Sequence, residues 1–149
     1  MRGIEIARLL RKCWKIRRVF KGVYASDNLP KHVRKGSASA FVINLDPSHE
    51  PGSHWVALYI SPFGNATYFD SYGVGPLIPS IAGFISKHSQ TFRYNTIVIQ
   101  DIISRTCGLY CVHFIRKMAV GVTLSEFLSP FKPHHPRFND KKILALVRG

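Results

Sequence analysis

The stretch CGLYCVHFIRKMAV (107–120) is apolar on nearly every side for its first nine residues and turns basic only at Arg116 and Lys117. A helix without a polar face has to be covered all round. This run therefore predicts a central buried helix with the rest of the chain built over it. Gly121 suits its end, and the two cations sit near its negative pole. The run is too short to cross a bilayer, and no apolar stretch in the chain approaches ~18 residues, so no membrane association is expected. With 149 residues, 46% of them hydrophobic, the chain is long enough for one core, and a single domain over 1–149 is expected.

The elements around that helix follow from periodicity and punctuation. Ile6, Leu9, Leu10, Cys13 and Trp14 recur at steps of three and four, which predicts a helix over 4–20. Arg8, Arg11, Lys12, Lys15 and Arg18 fill its other face, as in any solvated helix. Residues 22–39 contain Pro30 and Gly36 and read as a turn-rich loop. The β-branched and aromatic runs AFVINLD (40–46), HWVALYI (54–60), ATYFDSY (66–72) and YNTIVIQ (94–100) predict strands. PLIPSIAGFISKH (76–88) reads as a helix with Pro79 in its first turn. Thr123 with Glu126 forms a capping-box pattern for a short helix, and Asn139 or Asp140 is expected to cap a last one. No internal repeat or low-complexity tract is present. Strands in series with one buried helix indicate an α+β fold.

Charge is unevenly spread. The formal net charge is +13, from 21 Lys and Arg against 8 Asp and Glu. Eleven of the cations lie in residues 1–35 and seven in 116–149, whereas 36–115 holds three cations and four anions. A near-neutral centre between basic ends suggests a working site beside an electrostatic docking surface. The first twenty residues are basic but have neither an unbroken apolar stretch nor a small-residue cleavage site, so they do not read as a secretory signal. Three cysteines without such a signal favour free thiols in a reducing compartment over a disulfide framework.

Two of those cysteines stand four apart at the front of the apolar run, as core residues, metal ligands, or a nucleophile with a buried neighbour. A structural zinc usually has four ligands in regular spacing. Here His113 points away from the face that Cys107 and Cys111 share, no C-x-x-C pair exists, and Cys13 is distant, so no metal is expected. Cysteine attacks as thiolate, and a helix N-terminus lowers its pKa. Cys107 is placed for that, and Gly108 behind it leaves room for a substrate backbone. Cys111, one turn deeper, reads as a small buried hydrophobe.

A thiolate also needs a base and an orienting group. His54 opens one strand and Asp70 lies near the end of the next. If Ile60 faces Ala66 across SPFGN, then His54 faces Tyr72, lies diagonal to Asp70, and shares a sheet face with both. A tight two-residue Gly64-Asn65 turn would give the opposite parity, so the arrangement requires the wider loop or a bulge. Gln100, seven residues before Cys107, could join the backbone N–H of Cys107 in holding an oxyanion. Taken singly, each of these residues is an ordinary strand-end or turn residue.

At GSHWVALYI, YFDSYG and VIQDIISRTCGLYCVHFI, together spanning roughly residues 40–120, the sequence resembles adenain, the adenovirus protease family, and the proteases of large virus-like DNA transposons. GVYASDNLP (22–30) is more loosely similar to the leader of such proteases. A remoter likeness is to the SUMO-deconjugating proteases. The shared pattern is His-Trp at a strand start, an acid before an aromatic-Gly turn, Gln seven before the cysteine, and Cys-Gly-Leu-aromatic-Cys. The resemblance implies a papain-like cysteine protease fold of the adenain type, with a mixed, mainly antiparallel sheet packed on the helix that starts at the nucleophile. It assigns His54 as general base and acid, Asp70 as its orienter, Gln100 to the oxyanion hole and Cys107 as nucleophile. Trp55 shields the imidazole or lines the substrate groove, or else simply packs in the core.

The resemblance also implies an endopeptidase that cleaves capsid and core precursors at Gly-containing sites in the host nucleus and the virion. It needs no cofactor for its chemistry and is stimulated by DNA and by a viral peptide. DNA is expected to meet the basic termini, including Arg8, Arg11, Lys12, Lys15 and Arg18, by counterion release. Adenain holds its peptide by a disulfide to a cysteine upstream of the glutamine. This chain has no cysteine between Cys13 and Cys107, so that link does not carry over. A monomer is expected. Two other functions stand beside this one: an isopeptidase for ubiquitin-like modifiers, and a catalytically inactive nucleic-acid-binding module.

Overall fold

The computed structural model describes all 149 residues. Its elements run α1 (Gly3–Arg11), α2 (Trp14–Val19), β1 (Phe20–Ala25), β2 (Ser39–Asn44), β3 (Trp55–Ile60), β4 (Asn65–Phe69), α3 (Pro79–His88), β5 (Thr91–Tyr94), α4 (Cys107–Met118), α5 (Leu124–Leu128) and α6 (Pro136–Arg148). The fold is α+β. The five strands form one mixed sheet in chain order, β1-β2-β3-β4-β5. The two inner pairs are antiparallel and the two outer pairs parallel.

Side-chain alternation along the strands divides the interior in two. Ala40 and Val42 of β2, Ala57 of β3 and Phe69 of β4 join the α1, α4, α5 and α6 side chains in the larger core. Phe41, Ile43, Val56, Leu58, Ile60, Ala66 and Tyr68 point the other way, onto Ile81, Phe84 and Ile85 of α3. Strands buried on both faces have apolar residues at successive positions, as FVI and VAL do here. The sheet is thus the middle layer, with one helix on one side and the rest on the other. As its composition predicts, α4 is covered all round: every residue from Cys107 to Ile115 is buried.

Several elements depart from the sequence reading. The helix expected over 4–20 breaks at Lys12–Cys13, where Cys13 is extended. Ile6, Leu10 and Ile16 carry the buried stripe, while Cys13 is exposed and Trp14 is 57% exposed. Part of the expected loop at 22–39 is strand β1, held by parallel pairing to β2 across an irregularity at Phe20/Gly22. That pairing is a tertiary contact, which local pattern does not encode. The strand expected at 94–100 is instead β5 at Thr91–Tyr94, because the Asn95 side chain leaves the ladder to bond the backbone of Asp70. Asn139 and Asp140 are not caps. His135 is the N-cap of α6, and the two residues lie buried within that helix.

Candidate active site

The site begins with the β3–β4 hairpin. Its ladder runs from Ile60 opposite Ala66 to Ala57 opposite Phe69, the register that the wider loop requires. Ser61 N–H donates to Asn65 O and Gly64 N–H to Ser61 O, both at 3.0 Å. Gly64 adopts φ +84°, where a side chain would be strained. This loop sends His54 and Asp70 to the same end of the hairpin. His54 Nε2–H donates to Asp70 Oδ1 at 2.6 Å, with both residues buried.

Asp70 is held on three sides. Its Oδ1 accepts from Tyr72 N–H at 2.9 Å. Its backbone N–H donates to Asn95 Oδ1 at 3.0 Å, and its carbonyl accepts from Asn95 Nδ2 at 2.6 Å. Gly73, at φ +70°, closes the turn that follows, and a Cβ there would stand 2.9 Å from the backbone of Thr96 and Ile97. The Tyr72 ring lies over the imidazole, with centroids 4.5 Å apart and planes 19° from parallel. The carboxylate and the ring therefore fix the imidazole in plane and in tilt.

Cys107 is the first residue of α4, and its backbone N–H has no acceptor within the helix. Thr106 occupies the N-cap position without capping through its side chain. Its hydroxyl donates instead to Asp140 Oδ1 at 3.0 Å, and Tyr110 donates to the same oxygen at 2.8 Å. Asp140 Oδ2 accepts from Asp101 N–H at 3.3 Å. One carboxylate from α6 thus ties both ends of the 101–106 loop to α4.

With Nε2 committed to Asp70, the other ring nitrogen is left free, and His54 and Cys107 line the same cleft and shift each other's pKa. Burial works against the charged ring. Hydrogen bonds and charge from Asp70 and Cys107 outweigh it and hold the His54 pKa up at about 9. Burial likewise opposes the thiolate. The hydrogen bond from His54, the backbone N–H of Trp55, the charge on His54 and the N–H of Gly108 overcome it and lower the Cys107 pKa. Both shifts favour a thiolate–imidazolium pair. Beside it opens a cleft of about 770 Å³, lined among others by Met1, Asn44, Gly52, His54, Trp55 and Cys107.

The remaining expected residues fall in different places. Gln100 is buried next to the site but does not line the cleft. Its Nε2 donates to Ser104 O at 3.1 Å and to Tyr72 Oη at 3.3 Å, and its Oε1 accepts from Ser71 Oγ. Trp55 lines the cleft, donates its indole N–H to Met1 O at 3.0 Å, and also packs on the larger core. Gly108 leaves no room for substrate. A Cβ there would meet Met1 Sδ at 3.0 Å and Ile6 Cδ1 at 3.2 Å, so the glycine serves the packing of α1 on α4. Arg8, Arg11, Lys12, Lys15 and Arg18 are exposed, and none lies within 4.0 Å of a carboxylate. Cys111 is sealed in the core, and His113 packs on Phe127 and Phe131.

Sequence reasoning missed Asn95, Asp140 and the stacking role of Tyr72. The hairpin register pointed to Tyr72, since it places that ring opposite His54. Nothing local marked Asn95 or Asp140, whose partners lie 25 and 30–39 residues away in the chain.

No protein-family model matches the chain. Over 99 residues, 59% of its length, the chain is 31% identical to a cysteine protease of African swine fever virus, of which it covers 36%. Over 110 residues, 64% of its length, it is 24% identical to the protease of ovine adenovirus D, of which it covers 54%. The chain thus spans about a third to about a half of the curated relatives it matches. Among solved structures, the African swine fever virus protease superposes with a TM-score of 0.52 at 23% identity, over 70% of this chain and 43% of that one. ChlaDub1 from Chlamydia trachomatis superposes with a TM-score of 0.55 at 15% identity, over 75% of this chain and 58% of that one. In sequence the chain is similar to viral cysteine proteases of the adenain kind, and it shares their fold.

Proposed function

We propose that the chain is a cysteine endopeptidase with Cys107 as nucleophile, His54 as general base and acid, and Asp70 as the group that orients and charges the imidazole. The observation that carries this reading is the His54–Asp70 hydrogen bond of 2.6 Å beside a cleft that the ring lines together with the thiol at the N-terminus of α4. The Cys107 thiolate attacks the scissile carbonyl carbon, and the carbonyl π pair moves onto oxygen. The oxyanion takes the unpaired N–H of Cys107 and, once its amide exchanges Ser104 or Tyr72 for the oxyanion, Gln100. Collapse of the tetrahedral species breaks the C–N bond, and the imidazolium gives its proton to the leaving amine. Water, giving a proton to the now neutral ring, attacks the thioester carbon. Collapse of that tetrahedral species breaks the C–S bond and releases the acid, and the expelled Cys107 thiolate with the protonated ring restores the resting pair.

The viral relatives, named as proteases, support protein as the substrate class. That the substrates are capsid and core precursors, cut at Gly-containing sites in the host nucleus and the virion by a monomer, is proposed from the resemblance to the adenovirus protease family. The unpaired cations of α1 and α2 support DNA as a partner held through phosphates and, with a peptide bound without a disulfide, as an activator.

An electrophilic thiol probe, applied with and without DNA and followed by mapping of the adduct, tests the nucleophile. Modification of Cys107 is expected, and selective modification of Cys111 would reverse the assignment. Peptides with a Gly-Gly scissile bond should be cut and SUMO conjugates spared. The opposite preference would favour an isopeptidase, and DNA binding without any hydrolysis an inactive module. DNA affinity should fall steeply with salt, by a slope of about 0.9 per phosphate contacted, and show little sequence preference. Salt-insensitive binding would remove the charge-based account.

A further inference from the structure

Asn44 ends β2 directly opposite Trp55. Leu45 N–H donates to His54 O at 3.0 Å, which makes 45 and 54 the hydrogen-bonded pair and leaves 44 and 55 as the intervening pair. In such a pair the Cα atoms are about 4.5 Å apart and the side chains stand close together on one face. The Asn44 side chain therefore lies beside Trp55, which follows His54 in the chain and lines the cleft together with His54 and Cys107. Asn44 is only 8% exposed, and what it exposes lines the cleft.

Its amide is half used. Oδ1 accepts from Asp46 N–H at 2.9 Å, which fixes the oxygen end of the group. Nδ2 has no protein acceptor, and it is not sealed from the cleft that Asn44 lines, so it is free to donate to what occupies that cleft. Gly52 explains why it stays uncovered. A Cβ at residue 52 would stand 2.7 Å from Nδ2, and the backbone there is at φ +91°. Both features select glycine, and glycine leaves the amide open to whatever lies in the cleft.

We propose that Asn44 is a substrate-binding residue whose Nδ2–H donates to a main-chain carbonyl of the bound peptide. One cross-strand spacing from Trp55, at about 3.3 Å of extended chain per residue, places that carbonyl within about two residues of the scissile bond. A main-chain carbonyl is offered by every residue, so this contact sets the register of the peptide and does not read a side chain. Gly52 admits the peptide backbone to the amide. The inference rests on the protease reading above.

The test is a coupling measurement with internally quenched peptides containing a Gly-Gly scissile bond. In each member of the set one backbone carbonyl near that bond is replaced by methylene. In the parent chain one position should cost at least about tenfold more in kcat/KM than its neighbours, and in Asn44→Ala that excess should vanish to within about twofold. Asn44→Ser, whose hydroxyl can still accept from Asp46 N–H, is the second variant should the alanine chain lose its near-ultraviolet dichroism. Equal losses in parent and variant at every position would overturn the role of Asn44. A parent chain that, with DNA present, cuts none of the peptides and is not modified at Cys107 by the electrophilic thiol probe overturns the protease reading itself, which separates the two failures.

Discussion

One helical turn separates Cys107 from Cys111, and the two thiols have opposite chemistry. Both are buried, and burial alone raises both pKa values. At the mouth of α4 the sulfur also meets the His54 ring and the N–H groups of Trp55 and Gly108, and its pKa falls. One turn inside, Cys111 meets no donor; burial, aggravated by the charges of Cys107 and Asp70, pushes its pKa well above 9.0. The difference lies in access to donors at a helix end, not in residue type or depth.

Cys107→Ser breaks the comparison most strongly. An alcohol is not ionised by this environment, and peptide hydrolysis should fall by at least several orders of magnitude, about 10³-fold or more. Near-normal turnover would exclude Cys107 as nucleophile. Asp70→Asn comes next, with a loss on the order of 10²–10⁴-fold in kcat, because the ring loses its orienter and its charge. Without that support the imidazolium weakens, so the pH profile of Cys107 alkylation should move upward. An unmoved profile would show that Asp70 does not govern the pair.

A subtler effect concerns stability against pH. A ring whose pKa rises from 6.5 to about 9 on folding contributes stability that is present in full below 6.5 and lost as pH rises through about 9. A thiol whose pKa falls below 9.0 contributes stability that is present above 9.0 and lost as pH drops through its folded value. In the pair the proton passes from sulfur to ring, so the two trends offset each other. The melting temperature of the parent should therefore vary less between pH 6.5 and 9 than that of Cys107→Ser, in which only the ring titrates. Parallel curves would argue against proton transfer within the pair. Smallest of all, Cys111→Ala should cost roughly 1–2 kcal/mol by denaturant titration while sparing most activity, since it removes one small buried group.

What was legible in the sequence was what local pattern encodes. The apolar run marked α4, the Thr123–Glu126 capping box formed as its spacing predicted, and the Ile60–Ala66 register was one of the two parities that SPFGN left open, the one the structure adopts. That register carried His54 and Asp70 to one end of the sheet. Illegible were residues whose partners are remote. The Asn95 amide holds the backbone of Asp70 from 25 positions away, and β1 exists through its pairing with β2. Gly108 shows a subtler failure. Its small size suggested space for a ligand, but that space is filled by Met1 and Ile6. A glycine near a nucleophile indicates a close approach without saying what approaches.

The carboxylate of Asp140 has a consequence for how the molecule can fail. Local opening of α6 would withdraw the acceptor shared by Thr106 and Tyr110 while leaving all five strands paired. Loosening at that helix would release the N-terminus of α4 before any cooperative melting, so hydrogen exchange along residues 136–148 should report on the proposed site more sensitively than exchange in the sheet.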